Sequence, residues 1–447
     1  MPGMSSPRTT PPTTLRLPWD VLRLAGRFAL PLVLWFSAGQ VVRYLLVQGM
    51  IRVNRIELLE QLHVNRVAAM LLLTLMIILQ MAVMVGMLYS VRRGLRSLGD
   101  AANERFSVAL ARSLMPFLVV YFAWNLIAND VFDVVQADMQ ANFDEDVNDI
   151  FASVLGGQPR QNDNPAGQLF ILDSLGMPVL LGITTVAWGL RVVCEKWYER
   201  SEGRVAGVGM AYFEGAFSLF GIFSITQLIE GGTAWITQRR AWAGTADFFG
   251  SLGGRIPGWA DFWALFGDFT PHIKDAIGLP LVWLTIAVLV YGVDVEDHRA
   301  VISGTRLEAA ASRIAGLRGF VQRPLDWITA GSRDKWVPFA NALRLILRGG
   351  MPLLGLFCLS YAALDFGAEH LWRFAVEQVG GDHELVFWAW AWHPLDFGRQ
   401  LVVEVLRVAL LAATFDLAVR RSEALAAAAS PPPPPPAAES AMVGAPR

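Results

Sequence analysis

Apolar residues come in blocks of about twenty along this chain, separated by short polar or charged segments. A helix of about that length crosses a bilayer core of about 30 Å. The blocks predict eight spans, at 28–49, 67–90, 113–136, 169–193, 206–229, 276–294, 350–368 and 398–419. They lack the short alternating pattern of a transmembrane β-strand, which argues against a barrel. The expected fold class is all-α, a polytopic transmembrane helix bundle.

The blocks resemble one another. Residues 112–133 start with Arg112, pass through Met115-Pro116 and end in Asn129, Asp130 and Asp133. An offset of 236 aligns them with 348–369, setting Asn129 against Asp365 and Asp133 against Glu369. The opening recurs in shorter form at 27–31, and 175–190 resembles 277–293. Duplicated helical hairpins are one reading, and such repeats are common in transporters. The other reading is the restricted alphabet and aromatic belt of any membrane helix. Proline lacks an N–H and fits the first helical turn, where N–H groups are spare. Pro31, Pro116 and Pro352 are therefore expected near helix starts, while Pro178 and Pro280 either kink their helices or mark where they begin.

Composition sharpens this picture. The chain has 447 residues, 54% hydrophobic and 17% charged, against about 25% charged in soluble domains. A net charge of −2 speaks against a nucleic-acid partner. Lys196, Lys274 and Lys335 are the only lysines. With abundant Ala, Pro and Arg, that suggests a GC-rich bacterial source. If the N-terminus is cytoplasmic, 25 basic residues fall inside and 11 outside. The bias predicts a multi-pass bacterial inner-membrane protein with both termini cytoplasmic. Cys194 and Cys358 fall at different depths, so no disulfide is expected.

The segments between blocks divide the chain further. Residues 1–27 are expected to form a disordered, basic cytoplasmic N-terminus, 28–420 the bundle, and 421–447 an Ala/Pro-rich disordered tail with Pro431–Pro436 as a stiff spacer or docking ligand. Outer loop 137–168 is acidic, and Asp144, Asp146 and Asn148 mimic the start of a calcium loop that then fails at Asp149 and Leu155. Outer loops 230–275 and 370–397 are rich in Trp and Phe, which predicts short helices lying flat at the interface. The basic cytoplasmic loop 295–349 holds an amphipathic pattern over 299–323. That pattern suits anionic inner-leaflet lipid, with a protein partner at 299–348 or at the polyproline tail as the alternative.

Charge inside a membrane is costly without a partner and marks candidate function. Glu404 and Arg407 stand three apart in the last span, on one helical face. Glu214 and Arg43 are further intramembrane charges, at depths that disfavour pairing with each other, and Asp416 is the expected neighbour of Glu214. Asn129, Asp130, Asp133, Asp365 and Glu369 are candidates for an acidic outer vestibule. No metal-ligand spacing, hydrolase elbow or phosphate loop occurs, so no cofactor or catalytic residue is assigned. His370 and His383 are the weak enzyme candidates. The leading expectation is a transporter or permease-like component for a small or lipid-linked polar solute. A non-catalytic envelope scaffold is the alternative, and an enzyme on lipid-linked substrates the third.

Overall fold

In the computed structural model of this chain the described residues are 14–54, 64–98, 106–124, 126–141, 177–201, 204–237, 267–270, 272–291, 342–343, 346, 350–381 and 383–429. Among them every regular element is helical. In chain order these are α1 (Leu17–Arg27), α2 (Ala29–Asn54), α3 (Val64–Val91), α4 (Phe106–Ala123) and α5 (Leu126–Ala141). They continue with α6 (Met177–Ser201), α7 (Arg204–Thr237), α8 (Leu279–Tyr291), α9 (Met351–Val379) and α10 (Leu385–Ala429). The protein is an all-α polytopic bundle.

Among the described residues six helical segments are long and apolar enough to cross a membrane: Ala29–Val53, Val67–Gly94, Met177–Arg200, Gly207–Ile225, Gly267–Tyr291 and Met351–Val379. A seventh arises if α4 and α5 form one bent span. The eighth expected span lies within α10, which is long enough but carries Glu404, Arg407 and Asp416 in its apolar stretch. Helices α2 and α3 have 26 and 28 residues, about 39 and 42 Å at 1.5 Å per residue. Each therefore has the length for a full crossing.

Helix α3 is the hub. It packs against α2, α4, α7, α8 and α10, and Leu73, Met76, Ile77, Met81, Val85 and Leu88 are buried along it. Helix α8 is short and buried on nearly all sides, as expected of an all-round apolar helix in a bundle interior. Its last residue, Tyr291, packs against Phe415 of α10 with ring centroids 4.7 Å apart and the planes tilted by 36°. The buried Arg92, just past α3, donates to the Tyr291 carbonyl at 3.4 Å, satisfying a helix-end acceptor.

Several expectations are corrected. Residues 14–27 are helical, not disordered: Leu17, Val21 and Ala25 form a buried stripe at four-residue spacing, and α1 lies along α10. The described residues of 370–397 form no separate short helices. The outer parts of α9 and α10 continue as one helical hairpin, with Trp372 and Trp392 in edge contact at 4.5 Å. The turn begins at Gly380, whose φ of +92° ends α9 in a conformation open to glycine. Pro116 is interior to α4, whereas Pro352 sits in the first turn of α9. Pro178 is the second residue of α6 and marks its start, whereas Pro280 lies inside a longer helical run, just after the π-helical turn Lys274–Gly278.

The predicted third span is not straight. Helices α4 and α5 meet at a 71° bend around residues 124–125. The Lys274 ammonium donates to the Ala123 carbonyl at 2.7 Å and lies 5.0 Å from the centre of the Trp124 ring. A cation therefore takes an acceptor that a continuing helix would have used. Freed backbone groups at membrane depth need such partners. Because of the bend, the offset of 236 sets a broken helix against the straight α9. The calcium-like residues 144–155, the 299–323 pattern, nearly all of loop 299–348 and the polyproline tail lie outside the described residues.

Helices α2 and α3 approach closely at Gly39, where an added Cβ would sit 2.5 Å from Val83 Cγ2. A β-branched neighbour in a helix has little rotamer freedom with which to yield. Gly39→Ala is expected to cost about 1–3 kcal/mol through overpacking, read as an earlier unfolding midpoint in denaturing detergent. Adding Val83→Ala should recover most of the loss.

Candidate functional site

Helices α2, α5 and α10 each turn one polar strip towards a common space, and α3 adds Gln80. On α2, Gln40 and Arg43 are three apart; on α10, Gln400, Glu404 and Arg407 follow at four and three. On α5, Asn129, Asp130 and Asp133 occupy the first two turns after the bend. Such spacings place side chains on one helical face. The strips converge on a cavity of about 310 Å³.

Two guanidinium groups organise its walls. Arg43 Nη2 donates to Asp130 Oδ1 at 2.6 Å and to Asp133 Oδ2 at 2.7 Å, tying α2 to α5. Asp130 is buried and also accepts from Gln80 Nε2 of α3 at 3.0 Å. Arg407 binds Glu404 on its own helix and Asp365 of α9 at 3.2 Å. Its guanidinium carbon lies 5.4 Å from the centre of the Tyr361 ring. Gln40 Nε2 donates to Gln400 Oε1 at 3.4 Å, and Gln400 Nε2 donates to Asp396 Oδ2 at 2.6 Å. The polar groups thus cross-link α2, α3, α5, α9 and α10.

Apolar and aromatic side chains complete the lining. Phe36 comes from α2, Phe117 and Tyr121 from α4, and Trp283 from α8. Phe117 stacks on Tyr121 and meets Trp283 edge-on, each at 5.8 Å between ring centroids. Tyr121 is 2% exposed, and its hydroxyl has no hydrogen-bond partner among the described residues. The same holds for the buried Nε atoms of Arg43 and Arg407.

Six of the ten residues singled out from sequence line this cavity: Arg43, Asn129, Asp130, Asp133, Glu404 and Arg407. Asp365 joins through Arg407. Three do not line it. Glu369 is on the exterior, with Arg373 at 4.0 Å and both side chains about 70% exposed. Asp416 accepts from the Ser97 backbone N–H at 2.7 Å and pairs with Arg420 at 3.5 Å. It thereby closes the turn after α3 instead of facing Glu214. Glu214 is buried on α7 beside Gly215, which packs on Ile78 of α3. His370 and His383 are exposed, each bonded to a carbonyl one turn back on its own segment. No group of three or more metal-ligating side chains occurs among the described residues. The two cysteines are free.

Sequence reasoning missed Gln40, Gln80, Gln400 and the aromatic lining. The glutamines carried a usable signal, since uncharged polar residues inside apolar blocks bond across helices. Tyr121 and Trp283 carried none, as aromatic residues recur throughout the chain. No protein-family model, curated protein or solved structure matches the chain.

Removing one partner of a buried ion pair leaves the other charge exposed to low dielectric, at about 3–5 kcal/mol. Arg43→Met should therefore destabilise the protein strongly, and Arg43→Met with Asp130→Asn should be less damaging than the sum of the two. Asp365 is 51% exposed, so Asp365→Asn should cost under about 1 kcal/mol. Unfolding midpoints of the four variants test this ranking.

Proposed function

We propose that the chain is a transporter or permease-like component of a bacterial inner membrane, with both termini in the cytoplasm. It takes a small polar solute into the cavity between α2, α3, α4, α5, α8 and α10. The observation that carries this reading is the cavity itself: two intramembrane arginines and their carboxylates gathered around one space. Ionisable groups that face a bundle interior mark substrate or ion pathways. The break between α4 and α5 borders the same space, with Tyr121 before it and Leu126 after it. Discontinuous helices at the binding site are a recurrent feature of transporters. The excess of Arg and Lys in the alternate connecting segments supports the orientation.

A scaffold role is the second reading, favoured by one feature. Helix α10 has 45 residues, about 68 Å, against about 40–45 Å for a whole bilayer. Its hairpin with α9 leaves Phe374, Phe387 and Trp390 exposed. Affinity purification in mild detergent separates the readings: the transporter reading expects a lone particle, the scaffold reading stoichiometric companions.

The pathway is tested by Glu404→Gln, Arg407→Met and Asp130→Asn in proteoliposomes loaded with a metabolite extract. Solute exchange catalysed by the native chain should fall by at least about tenfold in Glu404→Gln and Asp130→Asn, with folding retained. Full exchange in every folded variant contradicts the reading.

A further inference from the structure

Charge and shape together narrow what the cavity accepts; the argument rests on reading the cavity as a solute site. Arg43 is shared by Asp130 and Asp133, and Arg407 by Glu404 and Asp365. Two cations and three carboxylates thus line the cavity, with Asp365 outside it behind Arg407. The described residues that line the cavity supply no further cation. An uncompensated carboxylate at membrane depth is costly, so the site is poised to take up positive charge.

Aromatic rings share the lining with the carboxylates: Phe36, Phe117, Tyr121 and Trp283. Aromatic faces attract cations, tryptophan most strongly, and cages of such rings recognise quaternary ammonium groups. The protein already uses this contact internally, between Arg407 and Tyr361. An anion would have to displace carboxylates from the guanidinium groups that hold them, whereas a cation need only add to them. The cavity, about 310 Å³, is at the small end of the range for ligand pockets, about 300–1,000 Å³.

We infer that the cavity binds a small organic cation, an amine or quaternary ammonium. Its charge lies towards Asp130, Asp133 and Glu404, and its apolar body against Trp283 and Phe117.

Calorimetric titration of the purified full chain in detergent tests this, with tetraethylammonium chloride, sodium chloride, sodium glutamate and glucose as probes. Saturable binding of tetraethylammonium alone is expected. Glu404→Gln, which removes charge, and Trp283→Leu, which removes a ring, should each weaken it by about tenfold. Monodispersity on gel filtration shows which variants are folded, and two variants on different helices keep the test decisive if one fails. Binding of glutamate or glucose in place of tetraethylammonium overturns the cation assignment while leaving the cavity as a solute site. Equal heat from sodium overturns the organic character of the ligand. Tetraethylammonium binding that is indifferent to both substitutions, or no binding, overturns the inference. The exchange assay then judges the transport reading separately.

Discussion

Guanidinium–carboxylate pairing across helices is the constraint on which the rest of this structure depends. A charge placed singly in an apolar bundle is too costly to keep, so each intramembrane arginine must bring its partners with it. Arg43 holds α5 to α2 through Asp130 and Asp133, and Arg407 holds α9 to α10 through Asp365. Neither link is well made for stability alone, because isosteric apolar packing often does as well as a buried ion pair. What the pairs do supply is a fixed polar surface in the middle of an apolar object.

The apolar frame makes that surface addressable. Helix α3 is buried against five neighbours and contributes Gln80 at its cavity-facing side. The break between α4 and α5 then turns Asn129, Asp130 and Asp133 towards the same space. A straight third span would have carried this acidic strip away along its axis. Lys274 stabilises the break from the π-helical turn that precedes α8, where Gly278 leaves room for Trp124: a Cβ there would lie 3.1 Å from the indole.

The bundle was largely legible in the sequence because block length and composition are local properties. The charges were legible for the same reason. Glu404 and Arg407 could be paired from their spacing, and the remaining carboxylates could be assigned to an acidic vestibule. Which arginine meets which carboxylate was not legible: Arg43 and Asp130 are 87 positions apart and Arg407 and Asp365 are 42 apart. The bend at 124–125 was hidden because it depends on a lysine 151 positions away, while the visible proline at 116 is carried inside α4. The hairpin at 370–397 was misread because its aromatic residues fit both an interfacial belt and a continuing helix.

The central claim is that water-exposed polar chemistry lies inside an apolar bundle, and thiol accessibility tests it most directly. In a chain with Cys194 and Cys358 replaced by serine, a cysteine is placed at Gln80, which lines the cavity, or at Leu75, which is 40% exposed on the outer surface of the same helix. The account predicts that a charged, water-soluble thiol reagent modifies the chain carrying Gln80→Cys in membranes and leaves the one carrying Leu75→Cys unmodified. Equal reactivity at the two positions, or modification at position 75 alone, would contradict it.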